Sequence, residues 1–414
     1  MDLRKCCRYS LLDFLLTLFG IGAFLFDIGT DLWAAAEFYL VGDYYWFGTV
    51  LFLTFTSSLV VQLFSWFWFQ YDSQLENFSE VAANEGLFWR RGILRLLHFF
   101  HLGFLFRYLT VMVQGFLVWW RERKESGYIV YLTHDLSMLR LFETFTESTP
   151  QLVFILYTII SRNKVEVYQY VSITASFLSV AWMVLDYHRS LRSFLPEKNN
   201  LGCISSLVYF LWNLLLITSR IVAVAVFTSV LPPYVGLHFL LLWASLLFWA
   251  GIQKTDFMDS PAGEWLYRAM VALILYFSWF NVAKGRTLGR SVIYHTFIAV
   301  DSGILLVTWW FYRDPTSTDA YVMPVMVILP FLYLMGIMFK VLYYWKFHPP
   351  VWDPVTEAEQ DVIDDLIGFR SLPATEIPQT MINKRMYTLA NKFFFSSQKP
   401  QHHRVNGSSS NTTV

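Results

Sequence analysis

From residue 11 to residue 347 the chain is a succession of apolar segments, and many of them carry an acid or an arginine in mid-segment. Ten are discernible, at roughly 11–36, 44–69, 93–118, 132–160, 166–187, 203–231, 234–252, 264–283, 289–312 and 321–346. Each approaches or exceeds the ~20 residues that a helix needs to cross ~30 Å of hydrocarbon. The first sets the pattern, because it contains Asp13, Asp27 and Asp31. Asp13 and Asp31 lie about five turns apart and share a face, with Asp27 one turn before Asp31 on nearly the same stripe. Their separation is a rise of about 27 Å, so one helix face offers carboxylates near both leaflets. A carboxylate at the bilayer centre costs ~2.5–3.5 kcal/mol, and a repeated cost of that size calls for a partner or a purpose. The expectation is an all-α polytopic membrane protein with a polar seam.

Other segments extend the seam. Arg140, Glu143 and Glu147 are spaced three and four apart, hence on one helix face, and Ser148-Thr149-Pro150-Gln151 follows as a polar break. The fifth segment ends on Asp186, the sixth holds Arg220, and the ninth has Asp301 near its centre. Glu264 and Arg268 open the eighth, one turn apart. Ion pairs that lock helices together explain such residues as well as a lipid path does. The acids, however, outnumber Arg140, Arg220 and Arg107, so pairing alone leaves carboxylates that must be protonated or wet.

Charge asymmetry sets the topology. Arg4, Lys5 and Arg8 place the N-terminus in the cytosol, and the first segment reads as a signal anchor. If all ten segments crossed, Arg121, Arg123 and Lys124 would lie outside, as would Arg189, Arg192 and Lys198. Letting the third and eighth segments enter and return brings both connections into the cytosol. About eight spans plus two re-entrant or in-plane segments are therefore expected. The third segment argues for this by itself, since Arg90, Arg91, Arg95, His98, His101 and Arg107 suit no lipid-facing helix. The two odd segments are each third in a set of five. That suggests an N-terminal half, 1–198, and a C-terminal half, 199–347, related by a pseudo-repeat.

Residues 348–414 form a cytosolic tail of another character. Pro349-Pro350 stops the last helix, an acidic stretch from Asp353 to Asp365 follows, and the end is rich in Ser, Asn and Thr. Met386, Leu389, Phe393 and Phe394 fall at helical spacing and form a face able to dock on the cytosolic mouth. Sequons at Asn77, Asn406 and Asn411 fall on cytosolic stretches and read as chance matches.

Composition agrees with the pattern, with 56% hydrophobic, 19% aromatic and 15% charged residues against about 25% charged in soluble domains. Basic and acidic residues balance at 31 each, which leaves no footprint for nucleic acid. Cys6, Cys7 and Cys203 are too few for a disulfide framework, and the first two are either free thiols or palmitoylation sites. GxSxG, HExxH and Gly-rich phosphate loops are missing from the sequence, so no enzyme activity, cofactor or metal is expected.

Several stretches resemble the XK-related family of membrane proteins, above all its caspase-activated apoptotic phospholipid scramblases. They include Phe26-Asp27-Ile28-Gly29-Thr30-Asp31-Leu32-Trp33, Gln62-Leu63-Phe64-Ser65-Trp66, Met138-Leu139-Arg140-Leu141-Phe142-Glu143, Thr149-Pro150-Gln151-Leu152, Asp186-Tyr187-His188-Arg189 and Tyr276-Phe277-Ser278-Trp279-Phe280-Asn281. The resemblance spans about residues 11–395. It implies a plasma-membrane protein that moves phospholipids, phosphatidylserine in particular, between leaflets without ATP. It also implies activation by a caspase that cuts the tail, and for some members a single-spanning immunoglobulin-type partner of the basigin and neuroplastin kind. The tail offers Asp361-Val362-Ile363-Asp364, an Asp-x-x-Asp pattern, with the cut after Asp364 or after Asp365. An ion-coupled solute transporter using the same carboxylates is the rival, and a structural partner subunit with every charge paired is a third reading.

Overall fold

The computed structural model describes residues 11–72, 91–120, 127–162, 167–193, 201–253, 260–282 and 287–347, together with Thr255, Phe257 and Met258. Every regular element among them is helical. The N-terminal set comprises α1 (Leu11–Val41), α2 (Tyr44–Asp72), α3 (Arg91–Phe99), α4 (Gly103–Trp120), α5 (Gly127–Glu143), α6 (Thr149–Arg162) and α7 (Val167–Ser193). The C-terminal set comprises α8 (Cys203–Val230), α9 (Pro232–Ile252), α10 (Pro261–Phe277), α11 (Thr287–Tyr312) and α12 (Pro315–Leu342). Two π-helical turns, Thr144–Ser148 and Tyr343–Phe347, join α5 to α6 and finish α12.

Seven of these helices are long and apolar enough to cross a membrane: α1, α2, α7, α8, α9, α11 and α12. Large apolar side chains cover their outer faces, among them Phe19, Phe26, Leu40, Phe248 and Phe311. Such a surface belongs in lipid rather than in water. The α5–α6 rod is long enough but carries Asp135, Arg140, Glu143 and Glu147 along its length, and it packs against α2 and α7 rather than facing outward. The third and eighth segments are not among the seven. The third is broken into α3 and α4, and the eighth ends as a helix at Phe277 and continues as extended chain to Val282.

The break between α3 and α4 has a local cause. His101 adopts φ 60, and Leu102 N–H reaches back to the Leu97 carbonyl at 2.8 Å while His101 N–H reaches His98 at 3.2 Å. That is the reverse turn that closes many helices, here without the usual glycine. Its polar groups are absorbed by α2. Ser58 Oγ meets His101 Nδ1 at 2.6 Å, and Gln62 Nε2 donates to the His101 carbonyl at 2.9 Å. Arg107 donates to Ser65 Oγ at 2.7 Å and to the Ser65 carbonyl at 2.9 Å, and it pairs with Asp135 at 3.4 Å. His98 Nδ1 faces the Leu94 carbonyl at 2.7 Å, so that nitrogen carries the proton and Nε2 accepts from Ser65. Of the basic residues that made the third segment a poor lipid-facing helix, His98, His101 and Arg107 are thus satisfied inside the protein, while Arg95 is exposed.

The centre of the C-terminal set is α8, which packs on α6, α7, α9, α11 and α12. Its approach to α12 is close enough that a Cβ on Gly336 would stand 2.7 Å from the Leu216 side chain. Small residues at such crossings let helices meet in lipid, where burial of apolar surface gives little drive. The buried core runs through both sets: Phe145 stacks on Phe277 at 6.3 Å, and Tyr187 meets Phe280 at 5.6 Å.

Candidate functional site: a carboxylate seam

The seam forms where α1, the α5–α6 rod and α7 meet, with Tyr108 of α4 behind it. Arg140 is its cation. The guanidinium lies against the bare backbone of Gly20 in α1 and over the Tyr108 ring, 5.9 Å from its centroid. Asp186 of α7 and Glu143 of the rod are its electrostatic neighbours. Glu143 in turn neighbours Asp27 and Asp31 of α1, and Glu147 neighbours Asp31 and Glu143. Gln151 closes the series by donating Nε2–H to Asp31 Oδ2 at 3.0 Å.

Pro150 sets the local backbone. It has no N–H to give, and the helix widens just before it into the π turn Thr144–Ser148. Thr149 satisfies the loosened turn twice, with both its N–H and its Oγ1 directed at the Thr144 carbonyl, the latter at 2.9 Å. Thr146 Oγ1 donates to the Phe142 carbonyl and also lies 2.8 Å from Ser57 Oγ of α2. Glu147 is carried inside this turn and is buried, as is Asp31.

Asp186 and Glu143 thus flank Arg140, and Asp27, Asp31 and Glu147 continue the series from Glu143, so one guanidinium cannot neutralise them all. An uncompensated buried carboxylate costs several kcal/mol, so the stripe needs protons or further polar company. A stripe of this kind can pass polar groups along the bundle while apolar matter stays outside. Asp13 belongs to α1, but its side chain lies outside the described residues. So do Asp361, Asp364, Asp365, Met386, Leu389, Phe393 and Phe394 of the tail, the sequons, and Cys6 and Cys7.

Arg220 and Asp301 occupy a second cluster, and it is paired rather than open. Arg220 Nη1 donates to Asp301 Oδ2 at 2.6 Å and to Ser302 Oγ at 2.9 Å, while His238 Nε2 meets Asp301 Oδ1 at 3.1 Å. The truncated end of α10 completes it. Helix-terminal carbonyls lack intrahelical donors, and here Tyr276 accepts from Arg220 Nε at 3.1 Å and Leu275 from the Tyr294 hydroxyl at 2.7 Å. The negative end of the helix dipole favours the guanidinium further. Glu264 and Arg268 at the other end of α10 pair at 3.5 Å. Glu264 Oε2 also accepts the N–H groups of Phe257 and Met258 at 2.8 and 2.7 Å, which fastens the preceding connection.

A family model described as XK-related protein matches residues 15–349. The chain is 50% identical over 401 residues to XK-related protein 8 of Tetraodon nigroviridis, covering 95% of this chain and 99% of that protein. It is 49% identical over 394 residues to the protein of the same name in Gasterosteus aculeatus, covering 94% and 98%. The Pan troglodytes protein of that name is 44% identical over 389 residues, covering 92% and 94%. On a match of this extent, the chain belongs to the XK-related family.

Proposed function

We propose that the protein is a phospholipid scramblase of the plasma membrane, with both termini cytosolic. It moves phosphatidylserine between leaflets without ATP and is released by caspase cleavage of its tail during apoptosis. The observation that carries this reading is the surplus of carboxylates buried along α1 and the α5–α6 rod. A lipid head group carries its own ammonium and phosphate, so it can travel along such a stripe while its acyl chains remain in hydrocarbon. No covalent chemistry is involved, and neither a cofactor nor a metal takes part. The resemblance implies a single-spanning immunoglobulin-type partner for some members of the family, and co-purification of such a protein with this chain tests it here.

Reconstitution tests the assignment. Full-length protein in liposomes containing fluorescent phosphatidylserine is treated with caspase, and a membrane-impermeant quencher is added. Scrambling lets the quencher reach both leaflets with no ion gradient present. If the inner-leaflet signal stays protected while sodium or protons drive solute uptake, the protein is an ion-coupled transporter. If neither occurs and a partner protein loses its surface expression without this chain, the protein is a structural subunit.

A further inference from the structure

A second feature lies away from the seam, between α11 and α12. Both helices pack on α8, yet their backbones stand apart and are bridged by long side chains: the Tyr333 hydroxyl donates to the His295 carbonyl at 2.6 Å, and Lys340 Nζ donates to Ser291 Oγ at 2.6 Å. The gap is a cavity of about 760 Å³, within the size range of small-molecule sites. Its rim is apolar and exposed, with Leu288, Val292 and Val300 on one side and Val341, Tyr344 and Trp345 on the other. On a membrane-spanning bundle such a rim opens to acyl chains.

The floor holds a buried lysine. Lys340 is 6% exposed, and its ammonium is held by Ser291 Oγ, by His295 Nε2 at 2.6 Å, and between the rings of Trp279 and Trp212 at 5.0 and 5.2 Å. All of these partners are neutral or are quadrupoles, and among the described residues the lining contains neither Asp nor Glu. Behind it a smaller cavity of about 20 Å³, room for a water, shares Trp279, His295, Tyr333 and Lys340 as walls. Arg220 also lines it, and its Nη2 is buried without a hydrogen-bond partner among the described residues. Arg220 is already paired with Asp301, so Lys340 is the buried basic group whose contacts among the described residues include no protein anion. A buried charge is retained when something pairs with it.

We propose that this cleft binds one anionic phospholipid, with the head-group anion on Lys340 and an acyl chain along the apolar walls. The inference rests on the scramblase reading for its lipid and deepens it by naming a site outside the seam, yet binding is measurable without any lipid transit. A zwitterionic choline lipid brings a second cation to a site that already holds one, so net negative head groups are preferred.

The test uses the full chain in nanodiscs and a phosphatidylserine carrying a photoreactive acyl chain. Labelling is expected on peptides of α11 and α12. Unlabelled phosphatidylserine should displace the probe at a concentration at least about tenfold below phosphatidylcholine, a difference of about 1.4 kcal/mol. Lys340→Gln should abolish that preference and Lys340→Arg should keep it. Val292→Trp changes only an exposed rim position and should block labelling with the charge intact. It decides the matter even if Lys340→Gln fails to fold. Labelling elsewhere, equal displacement by phosphatidylcholine, or full labelling of Val292→Trp overturns the proposal. Displacement by soluble glycerophosphoserine at the same concentration overturns the lipid source. Cross-links from the cleft to residues 384–395 would show that the protein's own tail occupies it. Protein that labels as expected but moves no lipid would refute the scramblase reading and leave this site standing.

Discussion

Gly20 of α1 makes room for Arg140 of the rod: a Cβ at that glycine would stand 2.8 Å from Nη1 of the guanidinium. The seam's cation is therefore positioned by the absence of a side chain on the facing helix. Gly20→Leu should push the guanidinium off the carboxylates, and breaking a buried pair costs up to about 3–5 kcal/mol. Gly20→Ala should cost much less, because the atom it meets is the end of a flexible chain. Gly22→Leu is the control, since among the described residues nothing lies within 4 Å of a Cβ there. Thermal unfolding of purified protein followed by gel filtration reads the difference. Equal midpoints for Gly20→Leu and Gly22→Leu would refute the contact.

Arg220→Met should be among the most damaging single changes. It strands Asp301 and leaves the Tyr276 carbonyl without its donor, with a loss of about 3–5 kcal/mol. Asp301→Leu alone should be similarly harmful. Together the two changes remove both charges, so the double variant should recover much of the loss. Surface expression on cells gives the readout. A double variant as depleted as the sum of its parts would show that Arg220 acts through something other than this pair.

The fold class was legible because apolar runs of about 20 residues obey a simple rule of length. The seam was legible in part. Asp27, Asp31, Glu143 and Glu147 were visible as mid-segment acids, and the spacing from Arg140 to Glu147 put them on one face. Asp186 looked like the end of its segment, but α7 runs on to Ser193 and carries it inside, beside Arg140. Gly20, Tyr108 and His238 were invisible, because a glycine's vacancy or a ring's placement depends on which helix faces it. The pairing of Arg220 with Asp301 could not be read either. It depends on α10 stopping at Phe277, and nothing in the local pattern fixes that end. The α11–α12 cleft is likewise a property of packing: Lys340 near the close of an apolar segment looks like an ordinary snorkelling lysine.

If the seam carries head groups, its carboxylates matter for rate more than for folding. Asp13→Ala, Asp31→Ala and Glu147→Ala should each slow lipid transit roughly tenfold, equivalent to about 1.4 kcal/mol of barrier, in protein that still reaches the cell surface. Asp31 is the most informative of the three, because Gln151 and Glu147 both depend on it. Phosphatidylserine exposure normalised to surface protein is the measurement. Loss of all three variants from the surface would make the seam a structural lock. Normal transit in all three would place the lipid path elsewhere.

In the proposed mechanism the tail is the switch. Its root is fixed: the π turn Tyr343–Phe347 ends with the Phe347 carbonyl accepting from Ser205 Oγ of α8 at 2.8 Å. A segment some 37 residues further along the sequence stays covalently joined to that end of the bundle until the chain is cut, and such linkage can raise an effective concentration to roughly the millimolar range. Met386, Leu389, Phe393 and Phe394 fall at helical spacing in the sequence, and an apolar face formed that way would be exposed to water at a cost of roughly 25 cal/mol per Å². Docked, it favours a closed state. A cut after Asp364 or Asp365 removes the tether, and the freed segment dilutes into the cytosol. Asp364→Ala combined with Asp365→Ala should then abolish caspase-triggered phosphatidylserine exposure, while truncation at Asp364 should give exposure without caspase. Replacing Leu389, Phe393 and Phe394 by Ser in the uncut chain should mimic the truncation. Normal exposure in the double variant would refute the cleavage site. A truncated protein that stays closed in liposomes would refute the plug while leaving the seam untouched.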